Sequence, residues 1–245
     1  MAHSFETAAT WIASARSLAV LTGAGLSQES GVPTFRSADG LWRRYRPEEL
    51  AAPEAFARDP KLVWEWYDWR RSLIARARPN PAHHALAELE RRVPEFALLT
   101  QNVDGLEAAA GCRTVLRLHG DIWLLRCVGC GREEKNRTVP LPELPPRCAC
   151  GGLLRPGVVW FGESLPAAIL EQAFAAAGRA DVFLVVGTSA VVQPAAALPL
   201  VAKQAGARVI EINLEPTPLS AAVTASFYGP AGELLPQLIQ TGVHP

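Results

Sequence analysis

The sequence predicts an α/β fold, a Rossmann-like doubly wound parallel sheet accompanied by a smaller domain. Short apolar runs that end in polar or glycine-containing loops alternate with helical patterns along the chain. This alternation is typical of parallel βαβ units, whose ligand site lies beyond the carboxyl ends of the strands. Two stretches break the alternation, one with a long helical pattern and one rich in Cys, Gly and Pro. They predict a smaller domain made of a helical insertion and a four-cysteine zinc module.

The apolar runs are the expected strands of the sheet. Each run has the length of a buried strand and is followed by a turn or a polar cluster. A helix is expected to begin at Asn80-Pro81, because Asn caps free N–H groups and Pro fits the first helical turn. The runs lie at residues 18–21, 96–100, 115–118, 182–186 and 208–212.

The two interruptions divide the chain into three parts. The helical insertion is expected at residues 37–78, where apolar side chains recur with helical spacing, and the zinc module at residues 121–156. The rest of the chain is expected to form the Rossmann-like domain, from residues 1–36, 79–120 and 157–245.

The composition is that of an ordinary globular protein, and it argues against some classes of partner. The 245 residues are 49% hydrophobic and 20% charged, and 24 basic residues balance 24 acidic ones. Without net charge, the chain has no global field that would attract nucleic acid or an anionic membrane. The first residues lack the pattern of a secretory signal, so a cytoplasmic location is expected.

One uncharged stretch, residues 182–202, has about the length of a membrane span. Gly187, Gln193, Pro194 and Pro199 interrupt it. The stretch divides better into a buried strand, a polar turn and the start of a helix. No membrane partner is therefore expected.

Four of the five cysteines form two close pairs, Cys127-Val-Gly-Cys130 and Cys148-Ala-Cys150, in a segment with few apolar residues. Four thiolates bind Zn²⁺ tetrahedrally, and the metal supplies folding energy that such a segment lacks. Disulfides are the alternative, which the missing export signal disfavours. Because four protein ligands leave no coordination position open, one structural Zn²⁺ is expected. Cys112 lies outside the set and fits a small buried hydrophobe.

Gly23 and Gly25 follow the first predicted strand. Such glycines would let backbone N–H groups approach a pyrophosphate, although the third glycine of the usual dinucleotide fingerprint is missing. Alone, the turn is equally consistent with a purely conformational role. The same holds for Asn102 and Asp104 as helix caps, and for His119 as a hydrogen-bonded core histidine.

Taken together, a series of motifs resembles the sirtuin family of NAD-dependent protein-lysine deacylases. The motifs occur in the order of that family, and the resemblance covers nearly the whole chain from about Ser17. They lie at residues 23–36, 100–104, 118–120, 156–163, 187–189 and 213–215, together with the two cysteine pairs.

The resemblance implies that NAD lies across the carboxyl ends of the strands. A carboxylate just past a strand, such as that of Glu215, suits the ribose hydroxyls of the adenosine half. Near the phosphates and the nicotinamide-side ribose, the resemblance places Gly23, Ala24, Gly25, Phe35 and Arg36. Toward the adenosine half it places Gly187, Thr188, Ser189, Asn213, Glu215 and, through its backbone, Ala231.

The resemblance also implies the chemistry. Gln101, Asn102 and Asp104 would line a pocket for nicotinamide, with Asp104 holding the carboxamide. The acyl-lysine amide oxygen would displace nicotinamide at the ribose carbon, and His119 would act as general base on a ribose hydroxyl. NAD would be consumed as a co-substrate, giving free lysine, nicotinamide and O-acyl-ADP-ribose.

Tyr67 and Arg70 lie three residues apart on a predicted helix and share one face. They resemble the Tyr-x-x-Arg signature of the sirtuin class that removes succinyl and malonyl groups. A guanidinium can bind an acyl carboxylate through charge-assisted hydrogen bonds, and a tyrosine hydroxyl can add another donor. The alternative is a solvated surface arginine beside Glu65 and Asp68, with Tyr67 packed among tryptophans.

The first interpretation is thus an enzyme whose partners are proteins that bear acyl-lysine. Mono-ADP-ribosyl transfer is a related alternative, in which a protein side chain attacks the ribose carbon. A non-catalytic NAD sensor or a nucleic-acid-binding zinc module would be a different class of protein. Acidic residues offset the basic residues around the cysteines, which argues against nucleic acid, and a sensor would not need His119.

Overall fold

The computed structural model describes residues 3–34 and 46–241. The predicted residues Phe35 and Arg36 lie outside this part of the chain. The strands are β1 (Ser17–Thr22), β2 (Glu95–Thr100), β3 (Val115–Arg117), β4 (Gly120–Cys127), β5 (Glu133–Lys135), β6 (Leu154–Val158), β7 (Val182–Val186), β8 (Arg208–Asn213) and β9 (Ala225–Tyr228).

The helices connect these strands and pack against the sheets that they form. They are α1 (Phe5–Ser14), α2 (Ala24–Gln28), α3 (Pro47–Leu50), α4 (Pro53–Arg58), α5 (Pro60–Arg76), α6 (Pro81–Arg92), α7 (Leu106–Ala109), α8 (Ala167–Arg179), α9 (Leu198–Gln204) and α10 (Ala231–Thr241). A short 3₁₀ turn, Ala195–Ala197, precedes α9.

The larger sheet has six strands in the order β3-β2-β1-β7-β8-β9, and all neighbouring strands are parallel. This order reverses direction between β1 and β7, which is the topological switch point where doubly wound sheets bind dinucleotides. The predicted Rossmann-like fold is confirmed. Strand β9 and helix α10 complete the sheet domain and were not predicted from the sequence.

The core of the sheet domain lies on both faces of the sheet. Leu18 and Val20 of β1 pack with α1, α6 and α10, whereas Ala19 and Leu21 pack with α8 and α9. Successive residues of a strand point to opposite faces, so a strand buried on both sides is apolar throughout. This is why the strands appear in the sequence as continuous apolar runs.

Two predictions about local structure are confirmed. Asn80 caps α6, because its side chain accepts hydrogen bonds from the backbone of Ala82 and His83, and the His83 ring accepts one from the Asn80 N–H. The uncharged segment 182–202 divides into β7, a loop and the start of α9. Within residues 3–34 and 46–241, no helix has the length and apolar character needed to cross a membrane.

The smaller domain combines α3, α4 and α5 with an antiparallel sheet in the order β5-β4-β6. It has its own apolar core. Helix α5 is attached to the cysteine-rich module through side chains on one of its sides. Asp68 Oδ1 accepts a hydrogen bond from the Leu141 N–H at 3.0 Å. Arg71 donates to the Asn136 and Thr138 carbonyls at 2.8 and 3.2 Å.

Candidate functional site

The four predicted metal ligands converge in the smaller domain. The Sγ atoms of Cys127, Cys130, Cys148 and Cys150 all lie within 4.8 Å of one another. A backbone hydrogen bond from Cys130 to the Cys127 sulfur lowers the pKa of that thiol to about 6, which favours the thiolate that binds metal. The cluster fits one structural Zn²⁺ with four protein ligands.

The glycine turn after β1 lies against the turn after β7. The Gly23 N–H donates to the Val186 carbonyl at 3.1 Å, and the Gly25 N–H donates to the Gly187 carbonyl at 2.8 Å. These two N–H groups are therefore engaged within the protein, and the approach of other backbone N–H groups of this turn to a pyrophosphate stays a prediction. A Cβ on Gly25 would lie 2.8 Å from the Gly187 oxygen. The glycines are needed because two strand ends approach closely at the switch point.

This contact leads to a stability prediction. We expect Gly25→Ala to lower the free energy of unfolding by about 1–3 kcal/mol, because the new methyl group overlaps backbone that cannot move freely. Gly178→Ala in α8 is the matched control, since its Cβ would meet open space and alanine favours helix. Thermal unfolding of both variants checks this, and an equal Tm for the two would contradict it.

Asn102 and Asp104 follow β2 and meet the glycine turn. The Asn102 Nδ2 group donates to the Gly23 carbonyl at 3.0 Å and to Ser27 Oγ at 3.3 Å. Ser27 Oγ donates in turn to Asp104 Oδ2 at 2.9 Å. Asp104 Oδ1 also accepts from the Leu106 N–H at 2.8 Å, although the N-cap residue of α7 is Gly105 and not Asp104. The predicted polar residues thus form one connected cluster.

A buried histidine adjoins this cluster and was not predicted. The Nδ1 atom of His83 accepts a hydrogen bond from the Asn80 N–H, so the proton of the neutral ring is on Nε2, 3.5 Å from Ser27 Oγ. Burial lowers the pKa of His83 to about 4 and keeps the ring neutral at pH 7. The only signal in the sequence was its position three residues after the helix cap.

Asp104 is the buried acid among the residues that line this part of the site. Burial raises the pKa of its carboxyl, while hydrogen bonds from Leu106 and Ser27 and the charges of Arg70 and Arg117 oppose that increase. The described residues that line this cleft are Ala24, Ser27, Val32, Pro33, Arg70, Ile74, Asn102, Val103 and Asp104.

His119 lies beside the same cluster, at the end of β3. Its Nδ1 atom is 3.0 Å from the Gln101 carbonyl oxygen. A carbonyl can only accept, so Nδ1 carries the proton of the neutral ring and Nε2 keeps a free lone pair. Burial lowers the pKa of His119, against the effect of this hydrogen bond. The ring is thus prepared as a base at neutral pH.

Gln101 and Thr188 connect the loop after β2 to the loop after β7. The Gln101 side chain donates to Thr188 Oγ1 at 2.8 Å, and the Asn213 side chain donates to the Thr188 carbonyl at 3.0 Å. Ser189 is the next residue along the chain and is half-buried, whereas Glu215 is exposed. The structure has a second cleft, separate from the one at Asn102 and Asp104. It is lined by Gly25, Gln28, Glu29, Gly187, Ile212, Asn213, Leu214, Gly229, Pro230 and Ala231.

Tyr67 and Arg70 are both buried in α5, so Arg70 is not a solvated surface arginine. The other part of that alternative agrees with the structure, because Tyr67 packs among tryptophans, against Trp66 and Trp160. Arg70 lines the cleft of Asn102 and Asp104. Tyr67 lies deeper, and its hydroxyl oxygen accepts a hydrogen bond from Trp160 Nε1 at 2.9 Å. Burial raises the pKa of Tyr67 far above its ordinary value, so the hydroxyl keeps its proton.

Comparison with known proteins agrees with this geometry. The model of the Sir2 family matches residues 23–194. An NAD-dependent protein deacylase of Aquifex aeolicus is 61% identical over 204 residues, which cover 83% of this chain and 85% of that protein. NAD-dependent protein deacylase 1 of Archaeoglobus fulgidus is 54% identical over 230 residues, 94% of each chain.

Solved structures show the same similarity. A Sir2 homologue in complex with NAD superposes with a TM-score of 0.93 at 52% identity, covering 98% of this chain and 94% of the other. A Sir2 enzyme with a deacetylated peptide and 3′-O-acetyl ADP-ribose gives 0.87 at 31% identity, covering 98% and 99%. With a matching family model and relatives above half identity over most of its length, this chain belongs to the Sir2 family.

Proposed function

We propose that this protein removes acyl groups from protein lysine side chains with NAD as co-substrate, releasing nicotinamide and O-acyl-ADP-ribose. The observation that carries the proposal is the tautomer of His119, which leaves a free basic nitrogen beside the cluster of Gln101, Asn102 and Asp104 at the switch point of the sheet. The names of its relatives support NAD-dependent deacylation. One similar structure contains 3′-O-acetyl ADP-ribose, which supports O-acyl-ADP-ribose as the product.

Each polar group has a defined task in this reaction. The adenosine half of NAD would occupy the cleft that Asn213 and Ala231 line, and the nicotinamide end would lie at Asn102 and Asp104. Attack by the acyl amide oxygen on the ribose carbon breaks the bond to nicotinamide. His119 Nε2 would then accept a proton from a ribose hydroxyl, whose oxygen attacks the acyl carbon. Cleavage of the bond between the acyl carbon and the lysine nitrogen, with addition of one water, would release the free amine and leave the acyl group on the ribose.

The experiment for this proposal is an incubation of the protein with acetyl-, malonyl-, succinyl- and glutaryl-lysine peptides, with and without NAD. Mass spectrometry of the products should show O-acyl-ADP-ribose and free lysine only when both substrates are present. ADP-ribose attached to the peptide or the protein would identify an ADP-ribosyltransferase instead. No nicotinamide release in response to any acyl peptide would leave an NAD sensor.

We further propose that acidic acyl groups are substrates, because Arg70 places a guanidinium in the cleft. Arginine is always protonated in proteins, so burial leaves it charged. Its Cζ atom lies 5.3 Å from the centre of the Trp66 ring, a stacking contact that restrains the side chain. The Tyr67 hydroxyl, which accepts from Trp160, keeps its own hydrogen available for donation.

The specificity prediction concerns Arg70. We expect Arg70→Met to lower kcat/KM for succinyl-lysine about 10-fold to 100-fold, because it removes a charge-assisted contact worth about 1.5–3 kcal/mol. Acetyl-lysine has no carboxylate, so its kcat/KM should change much less. Tyr67→Phe is the matched variant, because it removes the hydroxyl donor and leaves the charge of the cleft unchanged. Equal losses on both substrates would refute the selectivity.

A further inference from the structure

A buried carboxylate below the predicted nicotinamide pocket has no part in the mechanism described so far. Glu107 lies in α7 and is 1% exposed. Its Oε1 atom accepts hydrogen bonds from Thr100 Oγ1 at 2.6 Å and from Thr22 Oγ1 at 3.1 Å. A carboxyl group buried among apolar residues is costly unless it is hydrogen-bonded. The two threonine hydroxyls supply hydrogen bonds of this kind, so Glu107 and the threonines form one buried polar group.

The two threonines are the last residues of adjacent strands. Thr22 ends β1 and Thr100 ends β2, and they are partners in the register of the sheet. The Gly23 turn begins directly after Thr22, and the Gln101–Asn102 segment begins directly after Thr100. One side chain thus holds both strand ends at the point where they lead into the site.

The hydrogen bonds continue from the strand end to Asn102. The hydroxyl of Thr100 has one hydrogen, which it donates to Glu107, and its oxygen accepts from the Asn102 N–H at 3.0 Å. The position of the Asn102 backbone is thus tied to the orientation of that hydroxyl. The Asn102 side chain in turn binds the Gly23 carbonyl and Ser27.

We propose that Glu107 is a positioning residue for the nicotinamide pocket, which fixes Asn102 through the hydroxyl group of Thr100. The Thr22 hydroxyl lies within hydrogen-bonding distance of both Thr100 Oγ1, at 2.8 Å, and Glu107 Oε1. This inference rests on the proposed function, because it assumes that nicotinamide lies at Asn102 and Asp104. It assigns Glu107 no contact with either substrate.

The electrostatics of the pocket fit this role. Burial, and then the nearby charge of Asp104, raise the pKa of Glu107 to about 7. Glu107 also faces the Cys112 thiol, whose pKa burial raises to about 12, so that group is neutral. Arg70 and Arg117 act on Asp104. The negative charge of the carboxyl pair is therefore best placed on Asp104, and Glu107 retains the proton below neutral pH.

The sign of the pH dependence follows from this. A carboxyl whose pKa is raised by folding binds its proton more tightly in the folded state. Its contribution is fully present below the ordinary carboxyl pKa and is lost as the pH rises toward about 7. Stability of the native protein should therefore fall over that window more steeply than stability of Glu107→Gln, which cannot titrate.

Two ligands separate a positioning effect from general damage. ADP-ribose shares all of NAD except nicotinamide, so it does not use the pocket. We expect Glu107→Met to weaken NAD binding about tenfold and to change ADP-ribose binding less than about twofold, as isothermal titration can measure. Glu107→Gln keeps an oxygen that accepts from both threonines, so it should restore most of the NAD affinity.

Glu211 provides the matched control. It is a buried carboxylate of β8 that accepts hydrogen bonds from the hydroxyls of Thr217, Ser220 and Ser226, on the adenosine side of the site. Glu211→Met removes a comparable group, but we expect it to alter NAD and ADP-ribose binding alike. Equal weakening of both ligands by Glu107→Met would overturn the proposal and leave Glu107 a general stabiliser.

Asp104→Asn distinguishes failure of this inference from failure of the proposed function. If Asp104→Asn leaves NAD affinity and nicotinamide release unchanged, nicotinamide does not lie at this cluster and both proposals fail. If Asp104→Asn is defective but Glu107→Met binds NAD normally, only the positioning role is wrong. If Glu107→Met does not fold, Thr100→Val decides, because it removes the hydroxyl group that links Glu107 to the Asn102 N–H. Equal weakening of NAD and ADP-ribose binding by Thr100→Val would overturn the role.

Discussion

His119→Ala is expected to lower kcat/KM for acyl-lysine about 10²-fold to 10⁴-fold, the usual contribution of a general base. The reason is the hydrogen bond from Nδ1 to the Gln101 carbonyl, which leaves the Nε2 lone pair to accept the ribose proton in the proposed reaction. Steady-state deacylation of an acyl-lysine peptide with saturating NAD measures the loss. His119→Tyr removes the same base but, unlike alanine, fills the volume that the imidazole ring occupied.

The pH profile gives this prediction a second readout. Because burial lowers the pKa of His119, the neutral ring persists below the ordinary histidine pKa. The acid limb of kcat/KM should therefore lie at a lower pH than for an exposed histidine. His84→Ala, which removes an exposed imidazole from α6, is the control and should keep native activity. Native activity in His119→Ala would exclude this histidine as the base.

Cys130→Ala is expected to abolish stable zinc binding and to unfold the cysteine-rich module. Structural Zn²⁺ contributes about 10–16 kcal/mol to zinc-finger peptides, far more than a polar segment gains by burial. The Sγ atom of Cys130 is 3.8 Å from that of Cys148, so its loss opens the cluster on one side. We expect the bound zinc to fall from about one ion per chain to nearly none, with a large decrease in Tm.

Cys112→Ala is the control for the metal prediction. Cys112 is buried in the core of the sheet domain, whereas Cys127 and Cys148 of the four-cysteine cluster belong to the core of the smaller domain. This substitution should leave the zinc content unchanged and cost only the small amount of packing that the sulfur provides. Metal analysis together with thermal unfolding separates the two variants. Full zinc content in Cys130→Ala would show that the four-thiolate assignment is wrong.

The sequence predicted those features whose determinants are local. A buried strand needs only a run of apolar residues, a capped helix only Asn80 and its neighbours, and a metal cluster only close cysteine spacing. All three predictions are confirmed. The sirtuin resemblance then predicted the cluster at Asn102, Asp104 and His119, because its motifs lie at successive strand ends.

The features that were missed depend on partners distant in the sequence. Glu107 binds a threonine of β1 across 85 positions, and His83 meets Ser27 across 56. Nothing near either residue reveals such a partner. The hydrogen bonds that Gly23 and Gly25 donate were not predicted, for a related reason. Glycine spacing shows that backbone comes close, but only the fold shows that the neighbour is the loop after β7.

Helix α5 faces two environments, and this has a consequence for how acyl preference could change. Arg70 lines the cleft, while Asp68 and Arg71 are held by the backbone at residues 136–141. If Arg70 binds the acyl group as proposed, a substitution at residues 136–141 that breaks these hydrogen bonds would change the support of α5, and with it the position of the guanidinium, without altering any cleft residue. Substrate choice could thus evolve through the metal-supported scaffold, leaving the dinucleotide machinery untouched.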